Sequence, residues 1–381
     1  MSTSNGRSDR SGRTDRLYGE VPTPALLIDL DRLEANLRRM QERADRAGVK
    51  LRPHAKTHKS VAVARRQLAL GAAGLTVAKV SEAVALVPSG VRDLFVCTPV
   101  VDEDKLRQLA RLVAEGVRVR VAVDHPLHIE RLVAVFGDKV PFEAMIEVDT
   151  GQHRAGLAPD AAVAFAKWVL HQRPQVRVAG LFTHEGHVYG GATVEEMRRL
   201  AEAAQRAMLE AGRALAAHTG HPLELSIGCT PALLVTDILP GITEIRPGVY
   251  AYFDRSQALV RGEWDACAAT VLATVMTVRD GERLVLDAGA KALGSDPVNT
   301  GLPGRHPGYG VLKDHPACIV ARVSDEHGVV TPWTADLAVG DRVEVIPNHI
   351  CPVVNLYDRA YAVQGGRVVG ELDIAARGCS R

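Results

Sequence analysis

Residues 117–136 read VRVRVAVDHPLHIERLVAVF, a stretch with two hydrophobic periods in succession. The run 117–123 is β-branched and of strand length, and 125–136 carries Leu, Ile and Val at helical spacing after an Asp-His-Pro turn. The same unit recurs on both sides. Further strand-like runs lie at 50–54, 75–78, 94–97, 144–148, 178–183, 223–227 and 244–245. Helical patterns follow at 59–70, 80–88, 102–115, 158–172, 193–217 and 230–238, and another helix, 31–47, precedes the first run. Strands alternating with helices imply parallel pairing through right-handed crossovers. Eight such runs within residues 50–245 suit a (β/α)8 TIM-type barrel better than an open sheet. The alternative is a doubly wound fold, but no G-x-G-x-x-G follows the first run.

After about residue 260 the texture changes to alternating Val/Thr/Ala segments, with turn signals at 279–281, 326–328 and 364–366. This reads as a C-terminal antiparallel β domain. The expected organisation is a disordered Ser/Arg/Gly-rich tail over 1–16, a barrel over 17–260 and a β domain over 261–381. A first strand at about 23–30 could join the β domain.

Composition bounds the class. The 381 residues carry 46 basic and 45 acidic side chains, which leaves no charged footprint for nucleic acid or an anionic membrane. The longest nearly apolar stretch, 266–278, holds 13 residues with three threonines and is too short to span a bilayer. Six scattered cysteines without a C-x-x-C pair, and an N-terminus without an apolar core, fit a reducing, cytoplasmic setting. Only nine of the 46 basic residues are lysines, so few compete for a covalent role.

In a barrel of this kind the chemistry sits at the C-terminal ends of the strands. His54, Lys56, His58 and Lys59 follow the first run, and Lys79 follows the second. Asp149, His153 and Arg154 follow the fifth, His184, Glu185, His187 and Tyr189 the sixth, and Arg246 the eighth. Taken singly, each is most simply a solvated or structural residue; their convergence on one rim is harder to set aside. Lys56, in Arg52-Pro53-His54-Ala55-Lys56-Thr57-His58-Lys59, has cations on both sides, which favours an unprotonated amine nucleophile. Lys59 is expected to open the next helix and point outward, leaving Lys79 as the rival. Spacing alone leaves a basic anion-binding loop as the other reading.

The loops after runs seven and eight read as a phosphate cradle. Gly228-Cys229-Thr230-Pro231 combines a close-approach glycine with an expected N-cap at Thr230 and a proline at the first helical position. Arg246-Pro247-Gly248-Val249 supplies a second glycine turn. With a candidate Schiff-base lysine, these loops suggest pyridoxal phosphate (PLP). Finally, His349 and Cys351 would share a face if they lie on a strand, and could both ligate one metal ion. His184-Glu185-Gly186-His187 has the wrong spacing for a metalloprotease motif.

These residues together resemble the D-threonine aldolase and D-serine dehydratase family, alanine racemase-like, fold-type III PLP enzymes. The matching stretches are Thr23-Pro24-Ala25, RPHAKTHK (52–59), DTGQHRAG (149–156), GLFTHEGHVYG (180–190), Arg246-Pro247-Gly248, Asp287-Ala288-Gly289 and NHICPVVNL (348–356). They run in family order over nearly the whole chain, outside the N-terminal 16 residues.

The resemblance implies that Lys56 holds PLP and acts as a base at Cα, that Arg154 lies near the cofactor's phenolic oxygen, and that Tyr189 partners the pyridine nitrogen. It implies phosphate binding by Gly228, Cys229, Thr230, Gly248 and Val249, and a metal pair at His349 and Cys351 that holds the substrate's β-hydroxyl. It further implies a homodimer acting on small D-β-hydroxy amino acids. Dehydratases of the family carry His-x-Cys and aldolases His-x-Asp, so this chain leans towards dehydration of D-serine, D-threonine or 3-hydroxy-D-aspartate. A thiolate–imidazole pair favours zinc, with manganese or magnesium possible. D-Threonine aldolase activity is the runner-up. A racemase needs no β-hydroxyl metal, and a non-catalytic PLP-binding protein is the alternative of another class.

Overall fold

The computed structural model describes residues 18–279, 282–303, 307–333 and 336–381. The tail expected over 1–16 and part of the turn at 279–281 lie outside the described residues. A first strand, β1 (Ala25–Asp29), runs into helix α1 (Leu30–Ala47). Asp29 caps that helix by accepting the Arg32 N–H, and Gly48 ends it in the left-handed region at φ 66°. Leu30, Leu33, Leu37, Met40 and Ala44 recur at helical spacing and form its buried face.

The expected barrel strands are β2 (Lys50–Leu51), β3 (Leu75–Val77), β4 (Asp93–Val96), β5 (Arg118–Val123), β6 (Glu143–Glu147), β7 (Arg177–Phe182), β8 (Glu224–Ile227) and β9 (Glu244–Ile245). They pair in parallel in the order β2-β9-β8-β7-β6-β5-β4-β3. A bridge between His54 and Thr76 then joins the two edges, with Ala55 N–H donating to Thr76 O and Thr76 N–H to Pro53 O, both at 2.8 Å. The first strand is shorter than the expected 50–54. Pro53 has no N–H to give, so only Lys50 and Leu51 make a ladder and His54 follows as a single bridge.

Inside the barrel, the layer nearest the strand N-termini is charged. Arg52 is fully buried, with Nε donating to Glu244 Oε2 at 2.7 Å and Nη1 to Asp93 Oδ1 at 2.9 Å. Arg120 lies within 3.4–3.6 Å of carboxylate oxygens of Asp93, Glu143, Glu224 and Glu244. Next comes the edge-to-face pair Phe95–Phe182, whose ring centroids are 4.9 Å apart. The Arg246 guanidinium lies 5.6 and 5.2 Å from those rings and donates to Ser226 Oγ and Thr183 O. Beyond this layer lie the strand C-termini.

The second sheet takes in β1 with β10 (Ala269–Arg279), β11 (Arg283–Leu286), β12 (Gly310–Leu312), β13 (His315–Val323), β14 (Gly328–Val330), β15 (Arg342–Pro347), β16 (Arg359–Gln364) and β17 (Arg367–Asp373). The pairings β10-β11-β14-β13-β12-β15-β10 return to their starting strand, so these six form a closed antiparallel barrel. β1 pairs antiparallel with β10 and parallel with β16, the one parallel contact in this sheet among the described residues. The β16–β17 hairpin turns at Gly365 and Gly366, both at positive φ (56° and 73°), a geometry that favours glycine. No helix among the described residues is long and apolar enough to cross a membrane.

Replacing Arg52 with Met leaves Glu244 and Asp93 short of a buried cation. Urea unfolding should show a loss of about 3–5 kcal/mol. A loss below about 1 kcal/mol would mean that this layer does not hold the barrel together.

Candidate active site

The strand ends and the β domain enclose a cavity of about 310 Å³, at the small end of the roughly 300–1,000 Å³ usual for ligand sites. Lys56 lines it from the loop after β2, and Arg154 from the loop after β6. Tyr189 enters from a 3-10 turn, Gly186–Gly190, that follows β7. The loop after β8 contributes Gly228, Cys229 and Thr230, and the loop after β9 contributes Gly248 and Val249. His349 and Cys351 reach the same cavity from the β domain. The ten residues to which the resemblance gives a role thus line one cavity, together with His54, His184 and Arg246, whereas His58, Lys59, Lys79, Asp149, His153, Glu185 and His187 do not.

Three local expectations need correction. Lys59 does not point outward. It sits before helix α2 (Val61–Ala69) at φ 49° with its amine buried, 3.0 Å from Glu82 Oε1 and 3.2 Å from Ala376 O. Its carbonyl also accepts the Ala376 N–H, so the returning C-terminal segment holds the turn that carries Lys56. His349 and Cys351 do not share a strand either. β15 stops at Pro347, and His349 caps a short helix, Ile350–Val354, with Cys351 in its first turn. Pro352 has no N–H to continue a ladder. Finally, the residue capping the helix after β8 is Cys229, not Thr230, and Pro231 sits one place later than expected. Thr230 instead accepts the backbone N–H of Tyr250 at 3.1 Å, tying the β8 loop to the β9 loop.

Lys79 is absent from the lining, which leaves Lys56 as the cavity's lysine among the described residues. Two hydrogen-bond chains hold its loop. His54 Nδ1 accepts the Lys56 backbone N–H at 3.3 Å, so the ring proton sits on Nε2, 3.3 Å from Cys97 Sγ. Burial first, and then the Lys56 charge, keep His54 well below its usual pKa and therefore neutral. On the other side His58 Nδ1 accepts the Ser60 N–H, while its Nε2 meets Gln67 Oε1 at 3.1 Å. Gln67 in turn donates to the Tyr250 hydroxyl. His58 is fully buried and its pKa is pushed down to about 4. The loops after β2, β8 and β9 are therefore one hydrogen-bonded unit.

Several lining residues had no role assigned from the sequence. Glu147, on β6, is buried with Oε1 3.9 Å from Arg154 Nη2; burial raises its pKa to about 7 against the pull of that arginine. The sixth-strand histidine, His184, meets Gly228 O through Nδ1 at 2.9 Å. Burial and the Lys56 charge lower its pKa to about 3. Tyr189 is held by Gln257 Nε2 at 2.9 Å, and burial keeps its hydroxyl protonated. Asn299 also lines the cavity, from the loop leading to β12. Only the position of Glu147 at a strand C-terminus could have marked it in the sequence.

The candidate metal pair, His349 and Cys351, is fixed from both domains. Cys351 Sγ lies 3.2 Å from Thr57 Oγ1, on the residue after Lys56. Asp254 Oδ2 accepts the Ile350 N–H, and Ser256 Oγ donates to Asn348 O. No group of three or more His, Cys, Asp or Glu residues that could hold a metal occurs among the described residues. A metal at His349 and Cys351 would therefore keep open positions for other ligands.

The residues fit PLP on two counts. A side chain at Gly228 would fall 2.8 Å from Arg246 Cβ, and one at Gly248 3.0 Å from Thr57 Oγ1, so glycine at both positions lets these two loops and the Lys56 loop pack closely around the cavity. Helix-start N–H groups at Thr230 and Val249 have no intrahelical acceptor and are free for an anion.

The family described as "Alanine racemase, N-terminal domain" matches residues 28–256, and a serine dehydratase domain matches 268–363. The chain belongs to this alanine racemase-like family of PLP-dependent lyases. It is 35% identical to a D-threonine aldolase from Arthrobacter sp. over 370 residues, 95% of this chain and 94% of the relative. The structure of D-threo-3-hydroxyaspartate dehydratase from Delftia sp. HT23 superposes with a TM-score of 0.86 at 31% identity, covering 94% and 98% of the two chains. D-Threonine aldolase from Filomicrobium marinum gives a TM-score of 0.83 at 31% identity, covering 94% and 97%. Two further D-threo-3-hydroxyaspartate dehydratase structures, each with a TM-score of 0.84 at 31% identity, carry alanine in place of a histidine or of a cysteine two positions on, and the cysteine variant is described as metal-free.

His58, His54 and His184 are held neutral, so each stabilises the fold above its unfolded pKa of about 6.5. That contribution is lost as pH falls from 6.5 through the lowered folded values, about 4 for His58 and about 3 for His184. Urea unfolding should show stability falling across this window, and less steeply for His58→Gln. An equally steep fall in that variant would contradict this account.

Proposed function

We propose that this chain is a PLP- and divalent-metal-dependent lyase of D-β-hydroxy amino acids, with dehydration of D-serine, D-threonine or 3-hydroxy-D-aspartate to a 2-keto acid and ammonia as its main reaction. One observation carries the reading: Lys56 and the His349–Cys351 pair line the same cavity from opposite domains. Bound PLP supplies an electron sink for charge developing at Cα. Lys56 is the residue that attaches it, and its amine is the base that takes the Cα proton. The paired loops at Gly228–Thr230 and Gly248–Val249 hold the phosphate end. Arg154 and Tyr189 orient the ring, and the neutral His54 and His184 surround it without adding charge. His349 and Cys351 hold a metal, zinc being favoured by a thiolate and an imidazole, with manganese or magnesium the alternatives. They thereby place a Lewis acid where a β-hydroxyl must leave.

The His-x-Cys pair supports dehydration, because a D-threo-3-hydroxyaspartate dehydratase has the same two residue types at the same spacing. A second reading, D-threonine aldolase, is favoured by the 35% identity to the Arthrobacter enzyme. There a base would take the proton of the β-hydroxyl as the Cα–Cβ bond breaks, giving glycine and an aldehyde. The enzyme is proposed to work as a cytoplasmic homodimer on small-molecule substrates, without nucleic acid or membrane partners.

The test is a product assay on D-serine, D-threonine and 3-hydroxy-D-aspartate, with and without chelator. Pyruvate, 2-oxobutyrate or oxaloacetate with ammonia, lost on chelation and in Cys351→Ala, is the expected outcome. Glycine with an aldehyde selects the aldolase. No product from a protein that retains PLP would leave a carrier, and activity in fully metal-stripped protein would remove the role of the His349–Cys351 pair.

A further inference from the structure

Asp296 lies outside the cavity lining, on the loop between the helical turn Ala290–Leu293 and β12. Its Oδ2 accepts a hydrogen bond from His349 Nδ1 at 2.6 Å. Its backbone carbonyl accepts a second from Asn348 Nδ2 at 3.0 Å, so two consecutive residues are registered on this one position. Asn348 is 1% exposed and fully engaged: Oδ1 accepts from Arg255 Nη1, Nδ2 donates also to Gly308 O, and its carbonyl accepts from Ser256 Oγ. On the other side of His349, the Ile350 N–H is held by Asp254. The backbone around His349 is thus fixed, and rotation of its ring is the freedom that remains. Asp296 removes it.

An ionised carboxylate only accepts hydrogen bonds, so a neutral His349 paired with it carries its proton on Nδ1. Nε2 is then the nitrogen with a free lone pair. A carboxylate on the far nitrogen of a metal-binding histidine orients the ring and raises its basicity. We propose that Asp296 is a positioning residue for the metal site, fixing the His349 tautomer and ring so that Nε2 is presented beside Cys351. This inference rests on the metal reading of the preceding section. The Asp296 side chain is 47% exposed, so its pairing with His349 adds little to stability. Its effect belongs to metal affinity instead.

The test measures zinc and manganese affinity of the PLP-loaded enzyme by competition with a chromogenic chelator. Asp296→Ala should bind roughly 10–100-fold more weakly than the unsubstituted protein, at unchanged melting temperature and unchanged visible absorbance of PLP. Asp296→Asn, which can still accept from Nδ1, should fall between the two and serves if the alanine variant folds poorly. Because Asp296 acts through His349, adding Asp296→Ala to His349→Ala should leave the residual affinity unchanged. Wild-type affinity in Asp296→Ala, or a further tenfold drop in the double variant, would overturn the inference. A wild-type protein that binds neither metal at the site would instead overturn the metal reading itself.

Discussion

Arg52 is the side chain on which this architecture turns. Wholly enclosed, it bonds Glu244 on the last barrel strand and Asp93 on the third, while its own backbone directly follows the first. Two residues of ladder would join β2 to the sheet only weakly. The buried ion pair adds a link across the barrel axis at the point of closure. A cation desolvated this far is tolerable only because Glu244 and Asp93 meet it directly, and Arg120 supplies a second cation to the same carboxylates. The charged layer thus fixes where the first strand ends and where its loop begins.

That loop carries Lys56, four residues on. Its neighbours extend the same logic from charge to hydrogen bonding. His58, Gln67 and Tyr250 connect it to the β9 loop, and Thr230 connects that loop to the one after β8. Buried polar chains of this kind hold one geometry well because each donor has one acceptor within reach. The β domain closes the site by a separate route, through Asn348 and its partners on the barrel. A lysine amine, two glycine-containing loops and a histidine–cysteine pair, from chain positions nearly 300 residues apart, are thereby held around one cavity.

The periodicity that made the barrel legible also concealed its interior. In Val117–Val123 the alternating arginines look like an outward face, yet Arg120 is 1% exposed while Arg118 is solvated. Pattern reading assigns charge to the outside, and only the carboxylates on four other strands reverse that for Arg120. The ten site residues were legible because each sits at a strand end or in a compact motif. Glu147 and Asp296 were not: one falls inside the apolar run 144–148 read from the sequence, although the strand itself ends on it, and the other gains its meaning from a histidine 53 positions away. Lys59 misled for a related reason. Its buried partners, Glu82 and Ala376, are supplied by other parts of the chain, and no local signal announces them.

The lysine beyond the closure point, Lys56, is where we propose that the cofactor attaches. Borohydride reduction of the PLP-loaded enzyme, followed by proteolysis and mass mapping, tests this most directly. The expected result is a pyridoxyl modification on the peptide carrying Lys56 and its absence in Lys56→Ala. Modification of Lys79 or Lys59 in the unsubstituted protein would contradict it.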